Sequence, residues 1–208
     1  MSPSPDLVAL TPDLDWRLSL EAVFLRPASL GTRPFTFRVL QDAMHDASVV
    51  RHAPEILRPF MRDAGYALVC VDLEGTGRET EGAEALEASL EEELAGAGWS
   101  GRCAAVVVAP ELERWLWCDP RHLPDAIQWP PDGPPIIDWL RQAGMADADP
   151  VSIARPKEAL QAVLRSVRRP WSSSLFKRLA ARVSLVRCSD PAFRRMVHQL
   201  SSWFPPSP

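Results

Sequence analysis

Four apolar segments recur along the chain, and each has the length of a β-strand. They occupy residues 7–10, 35–40, 66–71 and 103–109. The third and fourth are almost wholly apolar, which is typical of strands covered on both faces of a parallel sheet. The pattern therefore predicts a sheet of four strands.

Segments with helical spacing separate these strands. Helices are predicted over residues 16–25, 53–63 and 79–97, with Pro54 in a first turn and Pro59 near a kink. The third helix is acidic and has Leu86, Leu90 and Leu94 on one face, so its other face is predicted to be solvated. Because strands alternate with helices, the sequence predicts an α/β fold with a mostly parallel, Rossmann-like sheet flanked by helices.

The composition of the chain changes after the fourth strand, where prolines become frequent. Residues 1–128 are predicted to form the α/β domain, and residues 129–154 a proline-rich connector with a short helix over residues 136–143. Residues 155–208 are predicted to be a helical extension, with helices over residues 156–168, from residues 172–174 to 182, and from 191 to about 203.

Carboxylates follow the predicted strands. Asp72 and Glu74 come at the end of the third strand, where alternation would point both side chains to a common centre, and this spacing suits Mg²⁺ or Mn²⁺. Further acids that follow the other strands are Asp13, Asp15, Asp46, Glu111 and Glu113. Some of them could simply cap helices, as expected for Asp13 or Asp15. Because the carboxyl ends of parallel strands share one edge of the sheet, we favour a metal site there.

Charge is distributed unevenly. Residues 155–208 contain eleven Lys or Arg residues and two acidic residues, which leaves twelve basic and 25 acidic residues in residues 1–154. Such asymmetry indicates a basic surface that binds nucleic acid, or one that docks on an acidic protein surface. The residues predicted to bind nucleic acid are Arg165, Arg168, Arg169, Lys177 and Arg178.

Composition and motifs exclude several classes of protein. A hydrophobic content of 46% with no long apolar run predicts a cytoplasmic protein without a membrane span. The four cysteines are widely separated, so neither a zinc site nor a disulfide framework is indicated. There is no phosphate-binding loop, no nucleophile elbow and no His-Glu-x-x-His motif.

Three segments carry a resemblance to a known family. Residues 71–77 (Val-Asp-Leu-Glu-Gly-Thr-Gly), 110–117 (Pro-Glu-Leu-Glu-Arg-Trp-Leu-Trp) and 155–160 (Arg-Pro-Lys-Glu-Ala-Leu) resemble Toprim-like bacterial proteins related to the Toprim domains of OLD-type nucleases. Over nearly its full length the chain also looks like a component of methylation-associated phage-defence systems. The resemblance implies that the chain has a Toprim-like fold and that it acts together with other proteins of a defence complex.

The same resemblance implies metal-dependent phosphodiester cleavage with Mg²⁺ or Mn²⁺. Asp72, Glu74 and Asp13 would be metal ligands, and Glu111 or Glu113 a further ligand or base. Toprim domains carry a glutamate on the first strand, which this chain lacks, so Asp13 or Asp15 would have to replace it. The alternative is a catalytically degenerate adaptor subunit within the defence complex.

Overall fold

The sheet has four strands, all parallel, in the order β2-β1-β3-β4. The computed structural model describes residues 4–147 and 153–206. The strands are β1 (Leu7–Thr11), β2 (Phe37–Gln41), β3 (Tyr66–Asp72) and β4 (Cys103–Val108). The predicted α/β class and the parallel arrangement are therefore confirmed.

Ten helices flank the sheet within the described ranges. Those that follow β1 to β4 in the α/β part are α1 (Leu14–Phe24), α2 (Pro27–Leu30), α3 (His45–Leu57), α4 (Ala83–Leu94), α5 (Glu113–Cys118) and α6 (Leu123–Ile127). The remaining helices are α7 (Ile136–Gln142), α8 (Pro156–Ser166), α9 (Ser173–Ala180) and α10 (Pro191–Trp203). In the described part of the chain, none of them has both the length and the apolar character to cross a membrane.

Successive strand residues point to opposite faces of the sheet, and each face has its own hydrophobic core. Leu7 and Ala9 of β1 pack in one core, whereas Val8 and Leu10 pack in the other. The first core also receives apolar residues of α1 and of all helices from α5 to α10. The predicted C-terminal extension is thus the cover of one sheet face, sharing a core with the α/β part.

Helices α3 and α4 cover the second face. The predicted apolar stripe of α4 is confirmed, because Leu86, Leu90 and Leu94 are all buried in this core. The prediction that the opposite face of α4 is simply solvated was wrong for Glu87 and Glu91. Their carboxylates accept hydrogen bonds from the N–H groups of edge strand β4, at Val107 and Ala105, both at 2.9 Å.

Arg195 of α10 completes this arrangement at the edge of the sheet. Its guanidinium donates to the Ala105 carbonyl oxygen at 3.0 Å and pairs with Glu87 at 3.3 Å and Glu91 at 2.6 Å. An exposed strand edge invites pairing with another chain, so these side chains protect the edge by occupying its polar groups.

Helix α3 begins earlier than the sequence pattern predicts. It starts at His45, and Pro54 lies inside it rather than in its first turn. Proline removes one helical hydrogen bond, but the helix continues because Val49, Val50 and Leu57 are buried against the sheet. As a result Asp46 lies in the first turn of a helix instead of in a loop.

The segments that follow β1 and β3 lead to opposite faces of the sheet. Helix α1 follows β1 and packs on the first face, whereas α4 follows β3 and packs on the second face. Since β1 and β3 are neighbours, a crevice opens between their carboxyl ends, which is where open α/β sheets bind ligands. Asp13 and Asp72 stand at the two sides of this switch point.

Candidate acidic site at the carboxyl edge of the sheet

Asp13 closes the amino end of α1. Its Oδ1 accepts the N–H of Trp16 at 2.8 Å, so the predicted capping role is confirmed. Burial raises the pKa of Asp13, and the neighbouring charge of Asp15 raises it further. Asp13 therefore caps the helix and also faces the crevice as a perturbed carboxyl.

Asp72 ends β3 and is 7% exposed. Its Oδ1 accepts two hydrogen bonds of 2.8 Å, one from the indole N–H of Trp16 and one from the main-chain N–H of Leu112. One carboxylate oxygen therefore holds both α1 and the loop between β4 and α5. The second oxygen, Oδ2, makes no hydrogen bond within residues 4–147 and 153–206.

Asp46 approaches the same point from α3. Its Oδ1 accepts the main-chain N–H of Asp72 at 2.9 Å. Burial, together with the charge of Asp13, raises the pKa of Asp46 to about 6. The carboxyl ends of β1, β2 and β3 thus each contribute an aspartate to one cluster.

Glu113, in the first turn of α5, adds the carboxylate that follows β4. It is buried, and its Oε2 has no hydrogen-bond partner among the described residues. Burial raises the pKa of Glu113 to about 7, and the charges of Glu111 and Asp15 contribute to the increase. An orphaned buried carboxylate oxygen is costly unless a proton or a cation binds it.

The charges of three carboxylates act on Asp72. Burial raises the pKa of Asp72 well above its usual value, and the charges of Asp46, Glu113 and Asp13 add to this effect. Such mutual repulsion requires short separations in a poorly solvated site. We call Asp13, Asp46, Asp72 and Glu113 the acidic cluster.

Lys157, near the start of α8, supplies a positive charge beside the cluster. Its Nζ lies 2.9 Å from Oε1 of the buried Glu111. Burial alone would lower the pKa of Lys157, but the hydrogen bond to Glu111 and the charges of Glu113 and Asp72 raise it overall. The ammonium group is therefore firmly protonated next to the acids.

Glu74 occupies a different environment from the cluster. It is exposed, and the strand that should align it with Asp72 ends at Asp72 itself. The chain then turns, with the N–H of Thr76 donating to the Leu73 carbonyl oxygen at 3.4 Å. Alternation requires an extended chain, so the argument that pointed Asp72 and Glu74 at one centre does not hold here.

A divalent cation fits the acidic cluster on chemical grounds. Mg²⁺ needs only one or two protein carboxylates, because it keeps several of its own waters. The orphaned Oε2 of Glu113 and Oδ2 of Asp72 are suitable oxygen donors. In residues 4–147 and 153–206, no group of three or more His, Cys, Asp or Glu side chains that could hold a metal ion is found, so the cation would have to be held by these two oxygens and its own waters.

The basic residues of the C-terminal segment divide into two groups. Arg155 pairs with Glu158, while Lys157 and Arg195 pair with acids of the α/β part. The other eight form no ion pair with any acid in the described ranges: Arg165, Arg168, Arg169, Lys177, Arg178, Arg182, Arg187 and Arg194. All five residues predicted to bind nucleic acid belong to this unpaired group and are exposed.

Lys157 was not among the functional residues predicted from the sequence. A usable signal was present, because a cation is electrostatically unfavourable in the first turn of a helix. Lys157 follows Pro156 in that position and has a buried acid as its partner. Asp46 was expected only as one of several carboxylates at the edge, and its contact with Asp72 depends on where α3 begins.

Comparison with protein-family models, with curated proteins and with solved structures found no match.

Proposed function

We propose that this protein is a divalent-metal-dependent hydrolase of phosphodiester bonds in nucleic acid. The observation that carries the proposal is the convergence of four carboxylates, each following a different strand, at the switch point of a parallel sheet. Capping accounts for one of them, Asp13, but leaves the buried and unpartnered Glu113 unexplained. Independent acids gathered at a ligand-binding edge are typical of a metal site.

The residues of the chain would divide the work. Asp72 and Glu113 would hold the cation with oxygens that have no hydrogen bond in the described ranges, and Asp46 and Asp13 would bind the cation's waters. A bound cation would neutralise a phosphate and lower the pKa of a water molecule. Lys157 would bind a phosphate oxygen, for which a protonated ammonium group beside the cluster is suited.

Two further features support nucleic acid as the substrate. The eight unpaired basic residues provide an anion-binding surface on the same face of the sheet as α1, whose N-cap is Asp13. The resemblance to Toprim-like proteins adds the same substrate class, and it suggests anti-phage defence as the cellular setting. In that setting the protein would act together with other proteins of a defence complex.

A non-catalytic adaptor is the second candidate. Its specific support is that Asp72 already has a structural task, because Oδ1 holds both Trp16 and Leu112. The missing first-strand glutamate points the same way. In that case the acidic cluster would be a remnant that binds no cation with useful affinity.

A nuclease assay with single-stranded and duplex substrates, run with Mg²⁺ or Mn²⁺ and with chelator, tests the proposal. Asp72→Asn and Glu113→Gln should each lower the rate at least about 100-fold, the effect usual for losing a charge-stabilising group. Asp63→Asn is the matched control, because Asp63 is exposed just before the amino end of β3. Glu74→Gln, assayed in parallel, measures whether the carboxylate of the loop takes part.

Thermal melting separates the two candidates without any assay of activity. If the cluster binds the cation, millimolar Mg²⁺ or Mn²⁺ should raise Tm, and Glu113→Gln should remove the increase. If the wild-type protein shows no cleavage, and its Tm does not change when Mg²⁺ or Mn²⁺ is added, the result favours the adaptor.

A further inference from the structure

A concave surface lies where α8 and α9 meet α6. Its main part has a volume of about 580 Å³ and an adjoining hollow has about 350 Å³. Leu164, Arg169 and Pro170 line both parts, so the two hollows adjoin along one surface. We call it the basic groove, because its lining includes the four guanidinium groups of Arg165, Arg169, Arg178 and Arg182.

Three of these guanidinium groups are held in place by carbonyl oxygens, which do not neutralise their charge. Arg165 donates to the Gln161 carbonyl oxygen at 3.2 Å. Arg169 donates to the Ile127 carbonyl oxygen at 3.4 Å, and Arg178 donates to that of Ala126 at 3.0 Å. The side chain of Arg182 has no hydrogen bond or ion pair with other described residues. The lining also includes the carboxylate of Asp125. Four guanidinium groups against this one acid leave the lining with a positive net charge.

The floor and one wall of the groove are apolar. Leu164, Leu175 and Leu179 lie on the floor, and the half-buried Trp171 forms a wall of the smaller hollow. The indole ring of Trp171 is fixed by a tilted contact with Phe176, with centroids 5.3 Å apart. A positively charged groove with a fixed aromatic ring is the usual means of binding single-stranded nucleic acid, because phosphates meet arginines while a base stacks on the ring.

The same tryptophan connects the groove to the acidic cluster. Its indole N–H donates to Oδ2 of Asp15 at 2.8 Å. Asp15 is close enough to Asp13 and Glu113 that its charge contributes to the raised pKa of both. One end of the groove therefore adjoins the acidic cluster.

We propose that the basic groove binds single-stranded nucleic acid, with phosphates on Arg165, Arg169 and Arg182 and a base stacked on Trp171. The bound strand continues from Trp171 toward the acidic cluster, and this last step rests on the hydrolase proposed above. Duplex nucleic acid keeps its bases stacked inside the helix, so it cannot use Trp171 in this way.

Binding is measured by fluorescence anisotropy with labelled single-stranded DNA and RNA oligonucleotides and a duplex of equal length, in the presence of chelator. The proposed cleavage requires a metal ion, so chelator keeps the oligonucleotides intact and the affinity is obtained whether or not the protein is a hydrolase. We expect the single strand to bind at least about tenfold more tightly than the duplex, since stacking of one base contributes about 1–3 kcal/mol.

Two sets of variants locate the site. The triple variant Arg165→Ala/Arg169→Ala/Arg182→Ala should flatten the slope of log affinity against log salt by about two units, at about 0.7 per phosphate on single strands. Its charge-matched control is Arg51→Ala/Arg58→Ala/Arg62→Ala, which removes exposed arginines in and just after α3, on the opposite side of the sheet. Trp171→Leu should weaken binding about tenfold, whereas Trp171→Phe, which keeps a stacking ring, should stay within about threefold of wild type.

Several results would overturn the proposal. Equal affinity for single strand and duplex, or an unchanged affinity in Trp171→Leu, would show that the surface attracts nucleic acid only by its charge. Equal salt slopes for the groove variant and its control would place the binding surface elsewhere. If binding follows the expected pattern but no metal-dependent cleavage is found, the groove stands and the hydrolase proposal fails.

Discussion

The acidic cluster and the basic groove hold charge in opposite ways. In the cluster, Asp13, Asp46 and Asp72 are tied by main-chain N–H groups, and burial raises the pKa of each. In the groove, the arginines are exposed and held only by carbonyl oxygens or by nothing in the described ranges. Ionisation of the buried carboxylates therefore costs stability, whereas the exposed arginines of the groove carry their charge in water at little cost.

The largest difference should appear when Asp72 is changed. Asp72→Ala leaves the indole N–H of Trp16 and the N–H of Leu112 buried without an acceptor, so the free energy of unfolding should fall by about 3 kcal/mol. Asp72→Asn keeps Oδ1 as an acceptor and removes a charge, so its stability at pH 7 should equal or exceed that of the wild type. Urea denaturation measures both. A loss below about 1 kcal/mol in Asp72→Ala would mean that the two N–H groups find other acceptors.

The cluster should also give the protein an unusual dependence on pH. A carboxyl whose pKa is raised in the folded state binds its proton more tightly there than in the unfolded chain. For Glu113, raised from its ordinary 4.5 to about 7, stability is greatest below the ordinary value and is lost as pH rises toward 7. In metal-free buffer this loss should reach up to about 3 kcal/mol, at about 1.4 kcal/mol per unit of pKa.

Glu113→Gln identifies the source of that loss. The variant cannot ionise, so its free energy of unfolding should fall less steeply between pH 4.5 and 7, and at pH 7 it should be more stable than the wild type. Denaturation at several pH values in chelator measures the difference. Parallel pH curves for variant and wild type would show that Glu113 is solvated in solution.

A smaller effect tests whether Arg168 lowers the stability of the fold while it contributes to nucleic-acid binding. Arg168 follows α8 and has a φ of 55°, in the left-handed region. The main-chain N–H of Arg169 donates to the Leu164 carbonyl oxygen at 2.9 Å. Glycine is the usual residue at the position of Arg168 in a helix end of this kind. Arg168→Gly should raise stability by up to about 1 kcal/mol, because a side chain is strained in the left-handed region. It should also flatten the salt slope of single-strand binding by about 0.7 if Arg168 contacts a phosphate.

Arg168→Ala is the control for this change. It removes the same charge but keeps the strained conformation, so binding should weaken as in Arg168→Gly while Tm stays at the wild-type value. If Arg168→Gly gains stability and binds nucleic acid as tightly as the wild type, Arg168 makes no contact with a phosphate and only its neighbours, Arg165 and Arg169, belong to the binding surface.

The pattern of apolar residues was enough to predict the four strands, their order along the chain and most of the longer helices. Continuous apolar runs predicted β3 and β4, and an aspartate at the start of a helical pattern predicted the cap of α1. Because parallel strands end at one edge, the pattern also predicted that acids would gather there, and the charge of Glu113 contributes to the raised pKa of Asp72. These features depend on periodicity and on neighbours within a few residues of one another.

Which acids share the crevice, and what surrounds them, depends on contacts between distant parts of the chain. The contact between Trp171 and Asp15 spans 156 positions. The sulfur atoms of Cys118 and Cys188, for which the sequence indicated neither a disulfide framework nor a zinc site, lie 2.8 Å apart. Glu74 is exposed in the turn that follows β3, because the strand ends at Asp72 and the alternation does not extend to residue 74. Such outcomes depend on how whole helices pack against the sheet, and local pattern carries no information about contacts between residues so distant in the chain.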